Sequence, residues 1–135
     1  MKVKLDGKTE TIRLLLIDTP ETHHPTKPVQ PFGIEAENFA RSTLTPGLKV
    51  RVEIGKPERD IYNRLLAYIW LGSITFNEMQ LEKGFARIAY VFPPNDKYLD
   101  EFKASEAKAK SLGVGIWSID NYVHNNGFYT SNKAL

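Results

Sequence analysis

Cysteine is absent from the chain, which excludes disulfide staples and every thiolate metal site. No apolar run approaches the roughly 20 residues that a membrane-spanning helix needs. The N-terminal "MKVKLDGK" lacks the apolar core of an export signal, leaving a cytoplasmic protein or one whose signal has been removed. Neither sign of charge dominates. With 18 basic and 16 acidic residues the formal charge is +2, which permits a nucleic-acid partner without arguing for one. Repeats and low-complexity segments are missing too. What is present is 41% hydrophobic and 25% charged sequence over 135 residues, enough for one domain that buries about two-thirds of its unfolded surface.

Apolar periodicity predicts a small α+β domain. "VKLDGKTETIRLLLI" reads as two strands joined at Asp6-Gly7, a pair favoured in tight hairpins. "LLLI" does not alternate, so it is covered on both faces or leads into a bend. Residues 18 to 33 contain Pro20, Pro25, Pro28, Pro31 and Gly33, and no helix can run through them. A helix is expected from Ile34 to Leu44, with Ile34, Phe39, Ala40 and Leu44 on one face. "LKVRVEI" alternates, placing Leu48, Val50, Val52 and Ile54 inward, and "GKPERDIYN" reads as a polar connection. "RLLAYIWL", "ITF" and "RIAYVF" are strand-like. A second helix follows Asn77 as its cap, and a third spans Asp96 to Ser111 with a Glu106–Lys110 surface pair. The tail "NNGFYTSNKAL" looks frayed. Short twisted strands with helices to one side suggest a compact barrel.

Several residues interrupt this pattern with chemistry. Asp18 and Glu21 are two carboxylates on a proline-stiffened turn and suit a hard cation; alone, they read equally as an Asx-turn residue and a solvated acid. Arg13 and Arg64 each open an apolar strand, where an unpaired charge is costly. A guanidinium fork matches phosphate oxygens, although either arginine could simply pair with a carboxylate. Tyr62, Tyr68, Tyr90 and Phe92 offer stacking faces, with Tyr68 better read as core. Lys27, Lys56, Arg59 and Lys97 form a possible basic rim. His23 and His24 are adjacent, poor spacing for two ligands of one metal.

Taken together, "RLLLIDTPET", "FGIEAENFA", "YNRLLAYIW", "FARIAYVF" and "GIWSIDN" resemble the staphylococcal-nuclease family in order and nearly in spacing. The resemblance implies a five-stranded OB-fold barrel with three helices over residues 1–121, followed by a tail over 122–135. It implies a Ca²⁺-dependent, sugar-nonspecific phosphodiesterase that cleaves DNA and RNA, single-stranded or frayed by preference, to 3′-phosphate ends, outside the cell or at its surface. Carried over, Asp18 resembles a calcium carboxylate and Thr19 a ligand through its carbonyl. Glu21 resembles the group that orients or deprotonates water, and Arg13 and Arg64 the pair that grips the scissile phosphate. Tyr62, Tyr90 and Lys27 fall in or near nucleotide-contacting segments.

Three departures qualify that expectation. The family's Asp-Gly-Asp-Thr segment, with a further calcium carboxylate, would fall just ahead of Met1, and the first barrel strand precedes it. Asp6, at the far turn of the hairpin, cannot substitute. Ile61 stands where a lysine is common, and Phe92 replaces a tyrosine. The chain is therefore expected to resemble an N-terminally trimmed nuclease domain of weak calcium affinity and low activity. Its barrel gap is expected to be filled by strand exchange in a homodimer or by the tail around Phe128 and Tyr129. The alternative is a non-catalytic OB module that binds single strands or a protein partner.

Overall fold

The structure is a computed structural model that describes residues 1–26 and 28–129. Asp6 and Gly7 both take positive φ, 52° and 82°, the geometry of a tight hairpin turn. They join β1 (Lys2–Leu5) to β2 (Lys8–Leu14). β2 runs parallel to β5 (Leu65–Leu71), with Ile12 opposite Leu65 and Arg13 opposite Leu66. β5 also pairs antiparallel with β4 (Arg51–Arg59) and with β6 (Ile74–Thr75). The strand order β1-β2-β5-β4, with β6 beside β5, makes a mixed five-stranded sheet.

The non-alternating run does lead into a bend. Leu16 takes a left-handed backbone conformation, φ 69°, and the chain turns into β3 (Ile17–Asp18), antiparallel to β7 (Arg87–Ile88). Leu15, Leu16 and Ile17 are all buried there against Tyr68, Leu81 and Phe102. This is why that stretch is apolar throughout: the bend presents every side chain to the core.

Three helices flank the sheet: α1 (Gly33–Thr43), α2 (Phe76–Glu82) and α3 (Leu99–Leu112). α2 begins two residues earlier than the sequence suggests. Thr75, not Asn77, is its cap, its Oγ1 accepting from the Glu78 N–H at 3.0 Å. Asn77 is instead fully buried and bridges strands, donating to the carbonyls of Leu15 and Ala67 and accepting from the Ile69 N–H. On α1 the buried position is Ala36, whereas Ile34 is exposed. On α3 Glu106 does not pair with Lys110; it accepts from the Ile88 N–H at 2.7 Å and so anchors β7. The "GKPER" segment is not a connection, because β4 continues through a register shift to Arg59.

The sheet does not close into a barrel. Among the described residues β1 and β4 do not pair with each other, and between them lies a groove of about 1070 Å³ lined by Val3, Leu5, Leu44, Val50, Val52 and neighbours. Leu48 and Ile54, expected inward, are 46% and 38% exposed. Among the described residues the tail, through Tyr129, does not line this gap. After a 3₁₀ turn (Gly115–Ser118), β8 (Val123–His124) and β9 (Gly127–Phe128) form a hairpin instead of fraying. Phe128 packs on Tyr122 and Ile116. Aromatic burial within the last described residues outweighs their polar composition.

Candidate active site

The cleft forms where β2 ends, β3 begins and the loop to α1 departs. Gly33 lets that loop lie against the start of α1. A Cβ there would meet Pro20 and Glu21 carbonyl oxygens at 3.1 and 3.2 Å and the Thr22 methyl at 2.7 Å. Gln30 pins the loop from its other end, its N–H donating to the Glu21 carbonyl at 2.9 Å and its Oε1 accepting from the Glu21 N–H at 2.7 Å. The segment carrying Glu21 is thus held at fixed distance from β3.

Two arginines lie near this cleft, Arg13 within β2 and Arg64 immediately before β5. Arg13 Nη1 donates to the carbonyls of Leu14 and Ile17 at 2.8 and 3.0 Å, which wraps its side chain around the bend. Its guanidinium lies 5.0 Å from the centre of the Tyr90 ring. Burial lowers its proton affinity; Asp18 and Tyr90 oppose that, and Arg64 adds to it by repulsion. Arg64 donates Nε to Asp60 at 2.7 Å and lies 5.4 Å from the Tyr62 ring centre. The carboxylate partner that sequence allowed for either arginine is therefore real for Arg64. Arg13 has only backbone acceptors and a ring among its described contacts. Two cations placed close enough to repel each other form a seat for an anion.

The acids are arranged unequally. Asp18 is no Asx-turn residue: its Oδ2 accepts from Arg87 Nε at 3.1 Å and lies 3.0 Å from Nη2 of the same guanidinium in an ion pair. Burial pushes its carboxyl above the ordinary value, Arg87 and Arg13 pull it back down, and Glu21 pushes it up again. Asp18, Glu21, Arg13 and Arg87 thus share one electrostatic neighbourhood. Glu21 is exposed, and its Oε1 accepts from the N–H groups of Thr22 and His23 at 3.0 and 2.8 Å, so it also caps its own turn. Asp18, the Thr19 carbonyl and Glu21 are hard oxygen donors of the kind calcium takes. They fall short in number: among the described residues no group of three acids or histidines could hold a metal ion.

Other expected residues fall as follows. Tyr62 and Tyr90 are exposed rings beside the arginines, whereas Tyr68 is buried and donates its hydroxyl to the Asn95 carbonyl. Ile61 and Phe92 are 91% and 67% exposed. Lys27 lies outside the described residues. Of the basic rim, Arg59 is paired to Glu10 and Lys97 to Glu53. His23 meets Glu37 and His24 Nδ1 accepts from the Thr26 N–H, an arrangement of loop histidines. Two contributors escaped the sequence: Arg87 and Gln30. Arg87 carried the same signal as Arg13 and Arg64, a charge at the start of an apolar strand. Gln30 carried none.

The family model described as "Staphylococcal nuclease homologue" matches residues 11–119. The chain is 44% identical over 129 residues to "Endonuclease YncB" of Bacillus subtilis (strain 168), covering 95% of this chain and 61% of that protein. It is equally identical to "SPbeta prophage-derived endonuclease YokF" of the same organism, covering 43% of it. To the "Thermonuclease" of Staphylococcus hyicus it is 44% identical over 116 residues, covering 86% of this chain and 68% of that one. The chain thus spans about three-fifths or less of the two Bacillus proteins.

Proposed function

This chain belongs to the staphylococcal nuclease family, and on that premise we propose that it is a phosphodiesterase domain acting on DNA and RNA without regard to the sugar. The observation that carries the reading is the pair Arg13 and Arg64, each beside an exposed tyrosine ring. Such a seat fits a phosphate flanked by unstacked bases. A preference for single-stranded or frayed substrate follows, since rings can stack only on bases that are free.

Hydrolysis adds negative charge to the phosphoryl oxygens as water attacks. The two guanidinium groups would meet that charge where it develops. Glu21, on a loop pinned by Gln30, would hold or accept the proton of the attacking water. Cleavage that leaves 3′-phosphate ends, the outcome the family implies, requires expulsion of the 5′-oxygen. We propose calcium as the cofactor of the whole protein, with Asp18 and the Thr19 carbonyl supplying part of its ligand set. When bound, it would supply Lewis-acid stabilisation and an acidified water. The shortfall of ligands implies weak affinity in this chain alone.

The decisive experiment is digestion of denatured DNA with calcium, with EGTA, and with Glu21→Gln. EGTA-sensitive cleavage that the substitution abolishes is expected. Absence of such cleavage in the full-length protein would favour a second reading, a non-catalytic OB module for single strands or a protein partner. The incomplete donor set is the observation that favours it. Single-strand affinity that survives both chelation and Arg64→Ala would point the same way.

The groove between β1 and β4 supports a further part of the proposal. Two unpaired edges over an apolar floor fit an extended strand with alternating apolar side chains, supplied by a second copy in a strand-exchanged homodimer. Sedimentation equilibrium should show a dimer; a monomer at every concentration would sink this part alone. Action outside the cell or at its surface rests on family likeness, and assay of culture medium against cell lysate tests it.

A further inference from the structure

Both acids of the cleft are tied to the C-terminal hairpin by separate routes, Asp18 through its carboxylate and Glu21 through its backbone. Arg87, only 7% exposed in its side chain, donates from Nε to Asp18, with which it forms an ion pair, and from Nη1 to the Asn125 carbonyl at 3.1 Å. Its guanidinium lies 5.6 Å from the centre of the Phe128 ring. Gln30, whose Oε1 accepts from the Glu21 N–H, donates its Nε2 to the Phe128 carbonyl at 3.3 Å. Tyr122, at the root of the hairpin, donates its hydroxyl to the Pro31 carbonyl at 2.7 Å. The hairpin lies beyond residue 119, the last that the family model matches.

We propose that the β8–β9 hairpin is a clasp that positions Asp18 and Glu21 together, with Arg87 and Gln30 as its positioning residues. The proposal rests on the nuclease reading of the cleft. The physical need is plain. A carboxylate on a loop samples rotamers and loop positions, and misplacement of a reacting group by about 1 Å can cost on the order of a hundredfold in rate. Arg87 holds Oδ2 of Asp18 by a hydrogen bond from Nε and by the charge of the guanidinium, which restricts the rotamers open to that carboxylate. Gln30 holds Glu21 through its backbone and leaves the side chain to the solvent. Because one hairpin terminates both links, loosening it would release both acids at once. Neither Arg87 nor Gln30 needs to touch substrate.

The full chain bearing Phe128→Ala, Gln30→Ala or Phe128→Leu tests this. Amide hydrogen exchange at Glu21 reads the Gln30 link directly and needs no catalysis. Phe128→Ala and Gln30→Ala should each speed that exchange and lower kcat on denatured DNA between about tenfold and a hundredfold. KM should stay put, since the phosphate contacts are untouched. Phe128→Leu, which keeps the hairpin docked, should restore both readouts. Should Phe128→Ala fail to fold, Gln30→Ala carries the test. Unchanged exchange at Glu21 with unchanged kcat in a folded variant overturns the clasp, and so does a raised KM at constant kcat. Glu21→Gln and Arg13→Ala, assayed alongside, separate the two failures. If they leave cleavage intact, the reading of the cleft is wrong; if they abolish it while Gln30→Ala and Phe128→Ala are silent in rate and exchange, only the clasp is.

Discussion

The cleft at the β2–β3 bend and the groove between β1 and β4 answer burial in opposite ways. In the cleft, charges taken from water are met by protein groups: Asp18 by Arg87, Arg64 by Asp60, Arg13 by two carbonyls and a ring. In the groove, apolar side chains and strand edges stand without a covering element, and Leu48 is nearly half exposed. The first region is pre-organised without its ligand, because moving one member would strand a partly buried charge. The second is unfinished. Function therefore needs little rearrangement in the cleft, while stability has room to grow at the groove.

The largest effect that would break this contrast is chemical. Arg13→Ala should lower kcat on denatured DNA by about 10²- to 10³-fold, the usual cost of deleting one preorganised charge-stabilising donor, as steady-state assays would show. Wild-type turnover in that variant would mean that the cleft does not grip phosphate.

Next comes Asn77→Ala. It removes the partner of the buried Leu15 carbonyl and of the Ile69 N–H beneath the bend, while the Ala67 carbonyl keeps the Leu15 N–H. Urea unfolding should register a loss of about 3 kcal/mol, given 1–3 for each unsatisfied buried group and partial relaxation.

A smaller effect concerns acid. Burial of Asp60 disfavours its charge, but hydrogen bonds from the Arg64 backbone and side chain and from the Tyr62 N–H outweigh it and hold its pKa below the ordinary 3.8. A depressed carboxylate contributes stability that is present above the unfolded pKa and lost as pH falls through the folded one. Stability should therefore decline as pH drops below about 4, and Asp60→Asn should flatten that limb of a thermal-melt series. An unchanged limb would show that the Arg64–Asp60 pair contributes nothing.

The smallest effect belongs to the groove. Leu48→Ser should shift unfolding by no more than about 0.5 kcal/mol in dilute solution, as for any surface change. A cost that grows with protein concentration would mean that a second chain covers this wall.

Much of the fold was legible because its signals are local. The Asp6-Gly7 turn and the apolar bend at Leu15–Ile17 need only their own residues. The misses are tertiary. Asn77 looks like a cap until the strands it bridges are in place, and Glu106 looks like half of a surface pair until β7 lies beside α3. The site shows the same division. Arg13 and Arg64 could be named because a charge opening an apolar strand conflicts with its setting, and Asp18 and Glu21 because two carboxylates share one proline-stiffened turn. Gln30 could not, since its role depends on a residue 98 positions away. The hairpin was hidden by composition: its polar letters outnumber Tyr122 and Phe128, yet those two rings decide where it goes.

Leu16 holds a backbone conformation that costs a non-glycine residue on the order of 1 kcal/mol or more. It makes the cleft a matter of counting. Arg13 and Asp18 are five positions apart, and a straight strand would send them to opposite faces. The kink between them restores a common direction. Adding or deleting a single residue on either side of Leu16 would therefore invert one partner relative to the other while leaving every side chain present, so spacing at this joint is as much a part of the site as the acids and bases themselves.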